Sequence, residues 1–420
     1  MVKRLQPGLI SGVREPLCCC EYINMHGEKT HILGICCDCE ALDDTFDKIF
    51  KCEPVPDSTV DKLLSVLGDR LRVPTFFGAG AVKVRPDILT PILVVPSCLY
   101  LATLHPVMTI AVFAFMPCFI VFFHALWRRA QQDAPTFFFY SWGLTSVISA
   151  YVVFQCFVVA FREVLLWEIL MVFTMMLVMF YFLYLTRRNP DLQRIVLKPR
   201  QGHKRTQSNM PHIKTMKPSS SSTSITIAET SNMDSNVKWM DSRTGAGKAE
   251  GPPRSGFCKI CDAYITVRDH HCVWINACIG ASNHRYFLLA MLMFIITGSY
   301  ACHLTFTTIC TPTMYFDWFL LPNDCRWLYA DFLTSICFVT ALYAAIGVSC
   351  MCVAFIYQFA LISQNVTAHE LARARGLGLV SFGGLFAQDN PNNHGLIRNW
   401  VDFWLSTSGR SGLDAYKEAL

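Results

Sequence analysis

The sequence FCKICDAYITVRDHHCVWINACIG at residues 257–280 concentrates more metal-binding and nucleophilic side chains than any other stretch of the chain. Cys258 and Cys261 form a C-x2-C pair, His271 follows after nine intervening residues, and Cys278 follows after six more. Two thiolates close in sequence, joined by a later imidazole and a later thiolate, are typical of a tetrahedral Cys3His site. The spacing therefore predicts one zinc ion, Zn2+, bound by these four side chains.

A further cysteine, Cys272, lies between the last two ligands and is not needed for the metal; it is preceded by Asp269, His270 and His271. A thiol becomes a nucleophile only as its thiolate, and an imidazole held by a carboxylate can take the proton. We therefore expect Cys272 to be a nucleophile, His270 its base and Asp269 the group that orients the base. The alternative is an ordinary zinc finger with solvated neighbours, but the apolar segments on both sides favour catalysis.

These residues resemble the signature of the DHHC-type protein S-acyltransferases, usually called palmitoyltransferases. The motif continues beyond the central tetrad with further residues of that signature: Asp269-His270-His271-Cys272, then Trp274, Asn276, Cys278, Gly280 and Asn283. Stretches near both ends of the chain also resemble the family: CCCEY at 18–22, HGEK at 26–29, DRLRVP at 69–74 and HGLIRNW at 394–400. The resemblance is closest to six-span members with a cysteine-rich amino terminus.

The resemblance implies a protein-cysteine S-acyltransferase, or S-palmitoyltransferase, that works by a ping-pong reaction. Cys272 attacks acyl-CoA, with palmitoyl-CoA as the expected co-substrate, and the acyl group then passes to a cysteine thiol of a target protein. The zinc is structural in this scheme, because four protein ligands leave no open position for substrate. The expected partners are the lipid bilayer, acyl-CoA and protein substrates with cytosolic cysteines.

The carboxy-terminal motifs of the family match in part. Thr367 and Glu370 stand where a Thr-Thr-x-Glu motif supports the catalytic loop, but Ala368 replaces the second threonine, which puts the expected contact to Asp269 in doubt. Asn399 matches the asparagine of the carboxy-terminal motif, and the resemblance implies a buried amide that caps backbone groups.

The main departure from the family lies upstream, at the first of its two usual zinc sites. The four positions expected for that site hold no cysteine or histidine: Thr244, Gly247, Phe257 and Tyr264. Because all four ligands are replaced together, no unpaired thiolate remains, and packing around the two aromatic rings is the expected substitute.

Composition places the chain in a membrane. The 420 residues are 53% hydrophobic and only 16% charged, and the mean hydropathy is +0.35. These values are too apolar for a soluble protein of this size. The net charge of +5 is modest, and the basic residues cluster beside the apolar runs, which favours membrane topology over nucleic-acid binding.

The pattern of apolar runs predicts an all-α integral membrane protein, a multi-pass bundle of about six transmembrane helices with a small cytosolic zinc-binding cysteine-rich loop. Four spans fall within 88–186 and two within 286–362: 88–104, 106–126, 137–161, 164–185, 286–307 and 332–362. Basic residues after spans two and four place those ends in the cytosol. A single kinked or re-entrant element in place of spans one and two is the alternative, and it would reverse the amino terminus.

The remaining segments complete the domain organisation. Residues 1–85 form a cytosolic cysteine-rich region, 187–256 a disordered basic and serine-rich linker, 257–285 the catalytic zinc-binding domain, and 363–420 a cytosolic carboxy-terminal region. The catalytic loop and both termini are then cytosolic, and the loop between spans five and six is lumenal. Cys310 and Cys325 lie in that loop and are a candidate disulfide.

The amino-terminal cysteines carry two open interpretations, metal binding and acylation of the cysteines themselves. They occur in tight groups: Cys18, Cys19, Cys20, Cys36, Cys37, Cys39 and Cys52. At the other end, the ending Glu418-Ala419-Leu420 has an acid two positions before a hydrophobic terminus, a weak pattern for a PDZ-domain partner.

Two functions remain in competition with each other: an active S-acyltransferase and a catalytically silent zinc-binding membrane scaffold. Asp269 and His270 beside Cys272 favour the enzyme, since a scaffold needs no spare thiol with a base. A transporter finds little support, because the spans lack an array of ionisable residues. The expected membrane is the endoplasmic reticulum or Golgi, with the plasma membrane as the alternative.

Overall fold

The structure, a computed structural model, describes residues 20–24, 27–33, 40–74, 80–130, 136–161, 166–188, 194–195, 254–315 and 319–405. Helices dominate it: α1 Glu40–Phe50, α2 Asp57–Arg70, α3 Pro86–Ala102, α4 Pro106–Ala130, α5 Phe138–Val153 with a π-helical turn Phe154–Val158, α6 Val159–Phe161, α7 Leu166–Arg188, α8 His284–Ile309, α9 Phe332–Ser363, α10 Ala368–Gly376 and α11 Leu396–Leu405.

The strands are short and pair into small antiparallel ribbons. They are β1 Glu21–Ile23, β2 Lys29–His31, β3 Arg72–Val73, β4 Val82–Lys83, β5 Arg194–Ile195, β6 Gly256–Cys258, β7 Ala263–Ile265, β8 His270–Cys272, β9 Ala277–Ile279, β10 Thr311–Tyr315, β11 Phe319–Asp324, β12 Val380–Ser381 and β13 Phe386–Ala387. β5 pairs with β7, although its two residues fall within the predicted linker; the rest of that linker up to 253 lies outside the described residues.

Five helices among the described residues are long and apolar enough to cross a membrane: Pro106–Arg129, Phe138–Val158, Leu166–Arg188, His284–Ile309 and Phe332–Ser363. α3 is also apolar but has 17 residues, fewer than the roughly 20 that span a bilayer. It ends at Ala102, and α4 begins at Pro106, whose missing backbone N–H suits the first position of a helix. The predicted multi-pass helical membrane architecture is confirmed, with a first apolar helix shorter than the other five.

α3 and α4 are separate helices that pack against each other, as expected for a tight hairpin. The hydroxyl of Thr109 in α4 donates to the carbonyl oxygen of Ala102 at 2.6 Å and closes the turn between them. Asp87, fully buried at the start of α3, accepts hydrogen bonds from Arg85 and from the backbone N–H of Phe137. The beginnings of α3 and α5 are thereby fixed to each other.

The described residues fall into two compact units, of which the first comprises those up to Phe161 together with Thr308–Thr340. Within it the Arg72 guanidinium lies 4.2 Å from the ring centroid of Tyr22 and is also bound to Asp69 at 2.9 Å. Tyr22 belongs to the CCCEY stretch and the other two residues to DRLRVP, so these two amino-terminal motifs form one contact. Arg129 at the end of α4 binds Asp57 and Asp61 of α2.

The first unit also holds the β10–β11 hairpin between the last two long helices. Cys310 and Cys325 flank this hairpin and form a disulfide. The candidate disulfide predicted from the sequence is confirmed. Of the amino-terminal cysteines, only Cys20 and Cys52 are described, and the other five, like residues 418–420, lie outside the described residues.

The second unit comprises Arg162–Thr307 and Ala341–Leu420, and its described residues hold the segment 254–283 and both carboxy-terminal helices. Here α8 and α9 approach closely at Gly298, where an added Cβ would lie 2.5 Å from a methyl group of Val348. Small residues allow such approaches between membrane helices. The contact helps to fix α8, which begins at His284, relative to α9, which carries Gln358.

Candidate active site and metal centre

Two β-hairpins build the site. β6 and β7 form the first, and β8 and β9 form the second, in which His271 pairs with Cys278 and Cys272 pairs with Ala277. Successive side chains of a strand point to opposite faces, so in β8 His271 lies on one face while His270 and Cys272 lie on the other. One three-residue strand therefore serves two sites.

The four predicted metal ligands come together. The donor atoms of Cys258, Cys261, His271 and Cys278 all lie within 4.8 Å of one another, and the cluster could hold a metal ion. The Cys261 Sγ atom is 3.5 Å from the Cys278 Sγ atom, and the His271 Nδ1 atom is 3.5 Å from each of these two sulfurs. A tetrahedral ion with metal–sulfur bonds of about 2.3 Å requires sulfur–sulfur edges of about 3.7 Å. The donors present therefore fit a tetrahedral metal.

Backbone geometry explains two further residues of the signature. Asn276, in the turn between β8 and β9, has a φ of 51°, a left-handed conformation that asparagine tolerates better than most residues. Asn283 is fully buried. Its side chain accepts from the Gly280 backbone N–H and donates to the carbonyl oxygens of Cys278 and of Thr186 near the end of α7. These bonds attach the β8–β9 hairpin to a membrane helix.

His270 and Cys272 lie on the opposite face of β8, and Asp269 directly precedes the strand. The Nδ1 atom of His270 is 2.7 Å from the Oδ2 atom of Asp269, and His270 is also hydrogen-bonded to Cys272. Because a carboxylate only accepts hydrogen bonds, Nδ1 donates to it and Nε2 is left to face the thiol. The carboxylate, imidazole and thiol are thus connected in the order that the sequence predicted.

The protonation of this group follows from its contacts. Burial by itself raises the pKa of Asp269, but the hydrogen bond from His270, the nearby histidines and the Ala368 backbone N–H outweigh it and hold the pKa well below its usual range. Burial by itself lowers the pKa of His270, yet its hydrogen bonds with Asp269 and Cys272 raise that pKa to about 9. At neutral pH the arrangement therefore favours a proton on His270.

Cys272 has an apolar environment. It is 7% exposed and packs in a cluster with Ile275, Ala277, Ile279, Phe287 and Met291. Side chains from three membrane helices adjoin this cluster: Leu183 of α7, and Met351 and Phe355 of α9, besides the two members of the cluster from α8. The thiol therefore lies where the interior of the helix bundle begins.

Thr367 and Glu370 form a capping box at the start of α10, in which each side chain accepts a hydrogen bond from the other residue's backbone N–H. The helix start so formed directs the Ala368 backbone N–H to Asp269 Oδ1 at 2.5 Å. The expected support of Asp269 by this motif therefore exists, but it comes from the backbone and not from a threonine hydroxyl.

Asn399 is buried, and both the oxygen and the nitrogen of its side-chain amide are hydrogen-bonded. Its Oδ1 atom accepts from the His394 backbone N–H, and its Nδ2 atom donates to the carbonyl oxygen of Ser363 and to the side chain of Asn393. It therefore ties the start of α11 to the end of α9, in the capping arrangement that the resemblance implied.

Phe257 and Tyr264 are cross-strand partners in the first hairpin, and their ring centroids lie 5.2 Å apart. They are two of the four positions where the family usually has its first zinc site. The expected aromatic packing is present at these two positions, and Thr244 and Gly247 lie outside the described residues.

Sequence reasoning missed three residues that support the site. Gln358 and His284 form a hydrogen-bonded chain that reaches Asp269. Arg254 binds both carboxylate oxygens of Glu370 and also contacts Asn365. Burial by itself raises the pKa of Glu370, but the contacts with Arg254 and Thr367 outweigh it and lower that pKa. Gln358 is a glutamine in an otherwise apolar span, which is the signal that could have identified it.

Comparison with known proteins agrees with this geometry. The sequence model of the DHHC palmitoyltransferase family matches residues 246–375. Palmitoyltransferase ZDHHC23 of Mus musculus is 30% identical over 407 residues, which cover 93% of each chain. The chain belongs to the DHHC palmitoyltransferase family. The predicted family and class of enzyme, a protein S-palmitoyltransferase, are both confirmed.

Other members of the family match over different lengths. Palmitoyltransferase ZDHHC23 of Homo sapiens is 30% identical over 378 residues, 86% of this chain and 90% of the relative. Palmitoyltransferase erf2 of Schizosaccharomyces pombe is 32% identical over 130 residues, 30% of this chain. The resemblance to the ZDHHC23 proteins thus extends well beyond the segment that the family model covers. This DHHC palmitoyltransferase is accordingly a multi-pass membrane protein.

Proposed function

We propose that Cys272 carries the acyl group as a thioester between the two halves of the palmitoyl-transfer reaction. The observation that supports this role is the hydrogen-bonded series Asp269, His270 and Cys272, in which His270 and Cys272 lie on the face of β8 away from the metal donors. Cys272 is the cysteine of the hairpin pair that the metal does not require. Its thiol also adjoins the apolar interior in which a long acyl chain would lie.

The first half-reaction forms the acyl-enzyme. His270 holds the proton of Cys272, and the thiolate sulfur attacks the carbonyl carbon of the acyl-CoA thioester. A new carbon–sulfur bond to Cys272 forms as the bond to the CoA sulfur breaks, and the CoA thiolate leaves with the proton from His270. Asp269 holds the imidazole in the required tautomer and stabilises its charged form.

The second half-reaction repeats this chemistry with a protein thiol. The cysteine of a target protein gives its proton to His270 and attacks the carbonyl carbon bound to Cys272. The bond to Cys272 breaks, its sulfur leaves as the thiolate, and the proton stays on His270. The product is a thioester on the target, and the enzyme returns to its starting protonation state.

The metal that fits the donor set is Zn2+, because three thiolates and one imidazole in tetrahedral arrangement are the ligands that zinc prefers. When bound, zinc supplies structural energy and no open coordination position, since the four donors come from Cys258, Cys261, His271 and Cys278. The two hairpins are then held together, and β8 is fixed from the face opposite to Cys272.

The acyl chain of the co-substrate is expected to lie among the membrane helices beside Cys272. Burying each methylene group contributes about 0.8 kcal/mol, so a chain of about sixteen carbons, as in palmitoyl-CoA, gains much of its affinity there. The first candidates to contact the acyl chain are Met291, which belongs to the apolar cluster around the thiol, and Met351 and Phe355, which pack against that cluster.

The orientation follows from the basic residues at two helix ends. α4 ends with Arg128 and Arg129, and α7 ends with Arg187 and Arg188, which the positive-inside rule assigns to the cytosol. The catalytic segment follows α7, so it faces cytosolic cysteines of target proteins, in the endoplasmic reticulum or Golgi membrane.

A PDZ-domain partner for residues 418–420 remains a separate proposal, tested by a pull-down with and without these residues.

Labelling with acyl-CoA tests the proposed role of Cys272. The purified chain is incubated with labelled palmitoyl-CoA. We expect hydroxylamine-sensitive label on the wild type and none on Cys272→Ser. The control Cys52→Ser should be labelled, because it removes an exposed cysteine that is distant in sequence from the catalytic segment. Equal labelling of wild type and Cys272→Ser contradicts the proposal. An unlabelled wild type that retains its metal supports the catalytically silent scaffold.

A further inference from the structure

Gln358 is a buried amide in a predominantly apolar helix without charged residues. It lies near the end of α9 and is 4% exposed. Its Nε2 atom donates to Asp269 Oδ2 at 3.0 Å, and its Oε1 atom lies 2.8 Å from the Nε2 atom of His284. A buried polar side chain within a membrane helix is costly unless its groups are paired, and here both ends of the amide are paired.

The chemistry of the two partners fixes the direction of this amide. The carboxylate of Asp269 only accepts hydrogen bonds, so the amide NH2 group must face it. The carbonyl oxygen of Gln358 then faces His284, whose Nε2 atom must donate. His284 therefore sets which end of the amide reaches Asp269, and the two residues form one chain of hydrogen bonds.

Asp269 itself receives three hydrogen bonds from three different parts of the second unit. The Ala368 backbone N–H binds Oδ1, while His270 and Gln358 bind Oδ2. The family motif provides a second threonine at position 368, where this chain has alanine. The backbone N–H is the donor at that position, and the amide from α9 is a further donor to the same carboxylate.

We infer that Gln358 is a positioning residue for acyl transfer: oriented by His284, it holds Asp269 through a donor that lies outside the carboxy-terminal motif, on α9. This inference rests on the proposed roles of Asp269, His270 and Cys272. Without the amide, the carboxylate keeps its bonds to the Ala368 backbone N–H and to His270 but loses the one from α9, so its orientation is less tightly held. The imidazole then loses its fixed alignment with Cys272.

The test compares Gln358→Met with Gln364→Met, a change of the same kind in another buried glutamine of the second unit. The side chain of Gln364 bonds to backbone groups: the carbonyl oxygens of Ala360 and Leu385 and the N–H of Ala387. A misplaced catalytic group costs about 10- to 100-fold in rate. We expect Gln358→Met to lower the kcat of self-acylation by this factor, while the KM for palmitoyl-CoA and the metal content stay unchanged. The control Gln364→Met should retain the wild-type kcat per folded molecule.

An equal loss of kcat in the two variants, or a change of KM alone in Gln358→Met, would overturn the inference. If Gln358→Met does not fold, Gln358→Asn replaces it, because it keeps the amide but shortens its reach by one methylene. The same fall in kcat is then expected, and a wild-type kcat overturns the inference.

A double-mutant cycle separates positioning from a general loss of packing. His284→Phe keeps an aromatic ring against Phe403 but removes the donor to Gln358. If His284 acts through the amide, this change lowers kcat in the wild type and has no further effect in Gln358→Met. Additive losses overturn the inference.

Cys272→Ser, assayed in parallel, distinguishes a failure of the proposed function from a failure of the inference about Gln358. Label that persists on Cys272→Ser means that the proposed function fails. An unlabelled Cys272→Ser together with indistinguishable glutamine variants means that the function stands and the inference about Gln358 alone fails.

Discussion

The two faces of the β8–β9 hairpin differ in how their side chains are held. On one face His271 and Cys278 are cross-strand partners whose donor atoms meet Cys258 and Cys261 from the first hairpin. On the other face His270 and Cys272 point away from the metal donors, and they are held through Asp269 by hydrogen bonds. One face thus carries a set of donors suited to a metal ion, and the other is held by a network of hydrogen-bond donors and acceptors.

The difference shows how stability and chemistry are divided within a three-residue strand. Coordination by four donors releases enough energy to order a small loop that has little apolar core. The hydrogen-bonded face can then keep a reactive thiol that takes no part in coordination. Damage to the first face should therefore abolish both metal and activity, whereas damage to the second should abolish activity alone.

The largest effect is expected from His271→Ala. Structural zinc sites in small peptides contribute on the order of 10 to 16 kcal/mol of folding energy, and loss of one ligand forfeits much of it. We expect the variant to lose one metal ion per chain relative to the wild type, together with the order of the 254–283 segment and nearly all self-acylation. Metal analysis of the purified full chain and palmitoyl-CoA labelling measure both effects.

The matched control for that variant is His394→Ala, which removes an exposed histidine bound to Asp402 and distant in sequence from the cluster. It should keep the wild-type metal content. Counting the difference between variant and wild type removes the contribution of any ion bound by the amino-terminal cysteines. An unchanged metal content in His271→Ala would show that the ligand set has been assigned wrongly.

A smaller and more selective effect is expected from His270→Ala. Removal of a general base typically costs about 10^2- to 10^4-fold in rate. Since His270 lies on the face away from the donors, the metal content and the thermal unfolding of the variant should stay near those of the wild type while self-acylation falls. Near-normal self-acylation in a metal-loaded variant contradicts the role assigned to this residue.

The sequence predicted the coordinated face completely, because metal ligands are constrained in residue type and in spacing. Cys258, Cys261, His271 and Cys278 could be identified without any knowledge of the fold. The series Asp269, His270 and Cys272 was predicted as well, because a thiol that the metal does not need follows an Asp-His pair. The apolar runs likewise predicted the helices, although the first came out at 17 residues.

The supports of Asp269 were harder to predict because they depend on folding that brings distant parts of the chain together. Gln358 follows Asp269 by 89 positions and Ala368 by 99, and no local spacing relates them. A backbone N–H can also replace a side-chain hydroxyl, so the missing threonine gave a misleading expectation about that contact. Sequence patterns can identify metal ligands and nucleophiles, whereas a hydrogen-bonding amide such as that of Gln358 has no characteristic spacing.

The smallest expected effect concerns the first hairpin, where Phe257 packs on Tyr264 at two positions that in the family usually belong to a zinc site. Aromatic pairs contribute about 0.5 to 1.5 kcal/mol beyond the area that they bury, and the lower part of this range applies here because Phe257 is 43% exposed. We expect Tyr264→Ala to speed amide exchange in β6 and β7 by about two- to fivefold, since 1.4 kcal/mol corresponds to a factor of ten. Tyr264→Phe keeps the ring and should exchange like the wild type. Metal content should be unchanged in both variants, because neither removes a donor atom; loss of the metal from Tyr264→Ala would instead mean that the aromatic pair is required to hold Cys258 and Cys261 in place.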